Sequence, residues 1–106
     1  MKKYNCPIEA IMDVIGGKWT ALILWHLQNQ SRRTSELKNL IPGITQKMLV
    51  QQLKSLEKKD FIKRQVYAEV PPKVEYSLTS SGEKIKPILQ QMCSWGRENM
   101  GELIRE

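Results

Sequence analysis

The sequence predicts a mainly α fold with a small β-hairpin. Three observations carry that expectation. Apolar residues recur at three- and four-residue spacing through the first 58 positions. After Asp60 the period changes to two, with Val74, Tyr76 and Leu78 alternating against Glu75 and Ser77. Helical spacing returns from Ile85 and runs to the end of the 106 residues.

Cys6-Pro7-Ile8-Glu9 reads as a helix start, because proline is pre-set for the first helical position and an acid suits the first turn. Ile8, Ile11, Met12 and Ile15 make its apolar face, and Gly16-Gly17 ends it. A second helix is expected over Lys18 to Gln28. Trp19, Leu22, Ile23 and Leu27 leave few polar sides on it, so it belongs in the centre. Gln28 to Arg33 is a polar connector. A short third helix over Ser35 to Ile41 should bury Leu37, Leu40 and Ile41. Pro42-Gly43 is a turn, and Thr45 is a good N-cap for a fourth helix.

Phe61 to Ala68 and Lys73 to Leu78 read as strands around Glu69-Val70-Pro71-Pro72. Two prolines cannot sit in a paired central strand, so that segment is the hairpin tip. Thr79 or Ser80 then caps a long helical segment, with Glu83 placed to close a capping box on Ser80. Pro87 should kink or divide that segment. Two helices joined by a tight turn and followed by a basic hairpin make a winged helix-turn-helix, expected as one domain over residues 6–104.

The fourth helix carries the chemistry. At about 100° per residue, Leu49, Leu53 and Leu56 fall on one side. Lys47, Gln51, Lys54 and Lys58 fall on the other, with no carboxylate among them. Such a row suits phosphate oxygens and base edges, both rich in acceptors. A solvated helix face is the plain alternative. Charge distribution favours the first reading. The net charge is +6, and residues 31–75 alone hold ten basic against five acidic residues. A surplus gathered in one segment points to a polyanion. Thr45, Gln46, Lys47, Gln51 and Lys54 are therefore expected at the major groove or its phosphate walls, and Arg32, Arg33, Arg64 and Lys73 at the DNA backbone. Solvated charges on a loop and hairpin are the alternative for the last four.

Other classes find less support. No apolar run is long enough to span a bilayer, and the N-terminus has no apolar segment behind its lysines, so a cytoplasmic protein is expected with no membrane association. Cys6 and Cys93 stand at opposite ends, which makes no disulfide framework and no zinc spacing. His26 is the single histidine, on a mostly apolar helix, and reads as structural. No nucleophile–base or paired-carboxylate arrangement can be assembled, so neither an enzyme nor a cofactor or metal is expected. The alternatives to a sequence-specific regulator are a winged-helix protein working through protein contacts and a nonspecific architectural DNA binder.

The chain resembles the HxlR family of winged helix-turn-helix transcriptional regulators. The matching residues are Cys6-Pro7-Ile8-Glu9, Ile15-Gly16-Gly17-Lys18-Trp19-Thr20, Ser35-Glu36-Leu37, Ile41 to Leu49, Leu53 to Glu57, Pro71 to Thr79, and Trp95-Gly96. Their joint order and spacing cover roughly residues 6–98. The resemblance implies a homodimer built on N- and C-terminal dimerisation helices and bound to a double-stranded DNA operator. The apolar stripe from Ile85 to Ile104 agrees, being more than one small domain can cover. The chain departs from the family at Thr34, where an aromatic is usual, and at Asp60, where glycine is usual. Asp tolerates a left-handed backbone, so that turn can survive.

Several members of the resembled family sense electrophiles or oxidants through a cysteine at the position of Cys6. At a helix N-cap, unpaired N–H groups and the helix dipole favour a thiolate, and Lys2 and Lys3 add positive potential. The alternative is a small cap-site residue packed under the dimer interface. Cys93 is the weaker candidate, on a helix expected to be buried. No pattern in the chain names an inducing small molecule.

Overall fold

The computed structural model describes residues 3–105. Helix α1 spans Pro7–Ile15, with Cys6 as its N-cap residue. It ends at Gly16, whose amide donates to the Met12 carbonyl at 2.8 Å. A Cβ on Gly16 would run into that same oxygen, so the stop requires glycine. Helix α2 spans Thr20–His26 and is the centre of the core, with Ile23 and Leu24 fully buried. Helix α3 covers Thr34–Leu40, and Glu36 Oε1 accepts from the Arg33 amide at 2.8 Å to satisfy its first turn. Leu40 stands 38% exposed, where burial was expected; the inward face of this short helix is held by Leu37, and by Ile41 just beyond it.

Gly43 takes φ +86°, and the chain turns into α4, Gln46–Lys58. Thr45 Oγ1 accepts from the Met48 amide at 3.1 Å, the N-cap its residue type foretold. Leu49, Leu53 and Leu56 are all at most 1% exposed. Each such side chain contributes about 1.5–3 kcal/mol on burial. Their stripe therefore fixes which side of α4 faces outward.

Strands β1, Ile62–Tyr67, and β2, Lys73–Leu78, pair antiparallel with Ile62 opposite Leu78 and Tyr67 opposite Lys73. The connector before α3 also joins this sheet. Arg32 and Tyr76 exchange two backbone hydrogen bonds of 2.9 and 2.8 Å, a one-residue third strand on the free edge of β2. The turn between α4 and β1 holds Asp60 at φ +66°, the left-handed conformation that its residue type can tolerate.

The terminal segment is divided at Pro87, as the proline suggested. A single turn, α5 (Ser80–Glu83), precedes α6 (Lys86–Met100) and a 3-10 turn over Gly101–Leu103. The cap of α5 is Thr79, whose Oγ1 accepts from the Gly82 amide at 3.1 Å. The capping box expected on Ser80 is not formed, and the Glu83 carboxylate pairs instead with Lys86 Nζ at 2.6 Å. Gly82 sits where a Cβ would meet the Phe61 carbonyl, which brings α5 hard against the start of β1. Ile85 and Leu89 complete the core from this side.

A second apolar surface stays outside. Ile88, Met92 and Trp95 on α6 are 43%, 49% and 61% exposed, and Ile8 and Met12 on α1 are 69% and 52% exposed. Between α2 and α6 a shallow groove of about 260 Å³ is lined by Ala21, Leu22, Trp25, Leu89, Met92 and Cys93. No helix among the described residues is long and apolar enough to cross a membrane.

Candidate nucleic-acid interface

Lys47, Gln51 and Lys54 are exposed on the side of α4 opposite the buried leucines, and Thr45 and Gln46 are exposed at its N-terminal start. Lys58 extends the same side at the helix end. Lys47, Lys54, Lys58 and Gln51 stand there without a carboxylate, so the face offers donors and positive charge to whatever it meets. The first turn of α4 adds unpaired backbone N–H groups. Only one of its leading amides is taken by Thr45 Oγ1.

The hairpin register sorts the remaining basic residues. Directly opposed residues share a face, and faces alternate along each strand. Lys63, Gln65 and Tyr67 therefore share the outer face with Lys73 and Glu75. Arg64 lies on the other face, in a row with Tyr76 and, through the third strand, Arg32. The structure thus separates Arg64 from Lys73, which the sequence reading took as one wing pair. Lys73 is half-buried; its Nζ lies 3.6 Å from Glu75 Oε2 and 5.0 Å from the Tyr67 ring centre. Arg64 and Lys63 are exposed. Lys63 was passed over in the sequence, and its shared face with Lys73 shows only in the register.

Arg32 and Arg33 differ although they are adjacent. Arg33 is exposed. Arg32 is half-buried, and its Nε donates to the His26 carbonyl at 3.0 Å, closing the end of α2. Burial pushes the His26 imidazole below its ordinary pKa, and the Arg32 guanidinium adds to the effect. His26 is half-buried and is not part of any group of three or more potential metal ligands among the described residues.

Cys6 is exposed at the N-terminus of α1, and its side chain makes no capping bond. A shallow hollow there is lined by Lys3, Tyr4, Asn5, Cys6, Pro7 and Ala10. Glu9 faces the same first turn, within 3.5 Å of the Asn5 amide. Lys2 lies outside the described residues. Cys93 is half-buried in the α2–α6 groove, 3.7 Å from an Arg97 Nη.

Known proteins share this arrangement. Residues 14–103 match the HxlR-like helix-turn-helix family. The chain is 56% identical over 96 residues to the uncharacterized HTH-type transcriptional regulator YkvN of Bacillus subtilis (strain 168), covering 91% of this chain and 81% of that protein. It superimposes on the reduced form of the redox regulator HypR with a TM-score of 0.87 at 45% identity, over 92% of this chain and 97% of the other. The reduced form of the transcriptional regulator YodB from B. subtilis gives 0.78 at 36% identity, over 91% and 95%. With the helix pair, the hairpin and the third strand in place, and with these relatives matched along four fifths or more of their length, the chain belongs to the HxlR-like helix-turn-helix family.

Proposed function

We propose that this helix-turn-helix transcriptional regulator binds a palindromic double-stranded DNA operator as a homodimer in the cytoplasm, as a binding protein and not an enzyme. The observation that carries the reading is the α4 face. Lys47, Gln51 and Lys54 stand exposed together on the side opposite three fully buried leucines, with Thr45 and Gln46 exposed at the helix start. Gln51 is the base reader, since its amide donates and accepts at once, while Lys47 and Lys54 meet phosphates or guanine edges. Arg33, Arg64 and Lys73 supply backbone contacts. Arg32 does so with the part of its guanidinium that is not committed to His26.

The dimer rests on the second apolar surface. Ile88, Met92 and Trp95 form an i, i+4, i+7 stripe on α6 that this chain does not cover, and α1 offers Ile8 and Met12. Contiguous exposed patches of this kind mark association sites. A two-fold dimer would set the recognition helices about 34 Å apart, one helical turn of DNA.

Sensing is proposed at Cys6. Its exposure at a helix N-terminus supports attack by electrophiles and oxidants. One structural relative is named a redox regulator, and the structure of another, YodB, is of diamide-treated protein.

The test is selection of binding sites from a random duplex library, followed by mobility shifts at two salt concentrations against bulk DNA. A steep salt dependence with preference for the enriched site is expected. Equal binding to bulk DNA would favour the architectural reading, and no shift at all the protein-contact reading.

A further inference from the structure

Lys59 is the C-cap residue of α4, and its Nζ donates to the carbonyl oxygen of Asp13 at 2.8 Å. The two residues are 46 positions apart, so the bond ties the end of the recognition helix to the last turn of α1. That turn has a need for it. The last carbonyls of a helix lack partners within the helix, and a cation near them also meets the negative end of the dipole. Helix α1 has no basic residue in its last turn, and the Gly16 amide goes to Met12. Lys59 supplies the missing cation from another helix.

The direction of Lys59 separates it from its neighbours. At about 100° per residue it lies roughly 60° from Leu56 and roughly 110° from the centre of the Lys47, Gln51, Lys54 and Lys58 row. It points backward, toward α1, while that row points outward. The same Asp13 receives a second tie, because the Tyr4 hydroxyl donates to its carboxylate. The segment leading into Cys6 and the end of α4 therefore converge on one residue of α1.

We propose that Lys59 is a positioning residue for DNA recognition. Bound to the end of α1, it sets how α4 stands relative to that helix, and so the separation of the two recognition helices in the dimer. It determines which half-site spacing the protein prefers without touching DNA. The inference rests on the DNA-binding dimer proposed above.

The experiment compares the native chain with Lys59→Met, which keeps the stem and removes the donor, and Lys59→Arg, which restores it. The probes are the duplex enriched by the native chain and versions with one base pair added or removed between half-sites. Lys59→Met should bind the native duplex about fivefold more weakly, with unchanged salt slope and a flattened or shifted spacing preference. Lys59→Arg should return both. Amide exchange in the last turn of α1 should quicken in Lys59→Met and recover in Lys59→Arg. A salt slope lower by about one, with equal loss on every spacing, would make Lys59 a phosphate contact and overturn the proposal. So would a Lys59→Met protein indistinguishable from native on all three duplexes. A native chain that enriches no site would overturn the DNA-binding reading itself, and this inference with it.

Discussion

The Thr79 hydroxyl donates to the Asp60 carbonyl at 2.6 Å and accepts from the Gly82 amide at 3.1 Å. One side chain thus ties the turn after the recognition helix to the first turn after the wing. Asp60 sits there at φ +66°, which costs an L-residue about 1 kcal/mol or more. Asp60→Gly should therefore stabilise the fold by up to about 1 kcal/mol. Thr79→Val should destabilise it by about 1 kcal/mol, through the lost cap. Urea unfolding measures both, and a destabilised Asp60→Gly would show that its side chain holds the turn by some other means.

On α4, Lys47→Ala should weaken binding to all sequences and lower the salt slope by about one. Gln51→Ala should keep the slope and relax preference at one or two base pairs. Titrations of the enriched duplex and of single-base variants separate the two effects. An unchanged Lys47→Ala would mean that this face of the helix is turned away from DNA.

For the wing, the register predicts unequal roles. Lys73 is already engaged by Glu75 and Tyr67, while Arg64 is exposed. Arg64→Ala should cost more affinity than Lys73→Ala, and the double variant should keep the native site preference. Site selection repeated with the double variant is the check. A new preferred site would show that the wing reads DNA shape.

Trp95→Glu places a charge in the exposed stripe of α6. Because Trp95 is 61% exposed, the protomer should stay folded. Sedimentation at micromolar concentration should show the native chain as a dimer and the variant as a monomer. A native monomer would defeat the proposed assembly outright.

Diamide or a quinone should release the native protein from its operator and leave Cys6→Ser bound. Equal release of both proteins would remove Cys6 from the response. Retention of both would point to a signal that is not redox, such as a small ligand at the dimer interface.

Much of this was legible in the residues. The two faces of α4 follow from periodicity, the Thr45 cap from its position before that helix, and the break at Pro87 from the missing N–H. What escaped the sequence lies in single long-range contacts. Arg32 and Tyr76 pair through backbone alone, and one residue of strand has no period to detect. Arg64 and Lys73 looked equivalent because a five-residue tip leaves register open, and a shift of one would exchange their faces. Thr79 and Ser80 were equally good caps by type. The choice was made by Asp60 and Gly82, which lie close to Thr79 only in the folded chain.

The core that orients α4 is closed from beyond it. Ile62, Leu78, Ile85 and Leu89 belong to the same buried cluster as Leu49, Leu53 and Leu56. During synthesis, a nascent chain that has emerged only to Asp60 holds every residue of the recognition helix and none of those four. Its leucine stripe then lacks part of the cluster in which it is buried. The reading head is thus spelled out before it can be set in place, and competence arrives only when the ribosome has delivered the start of α6.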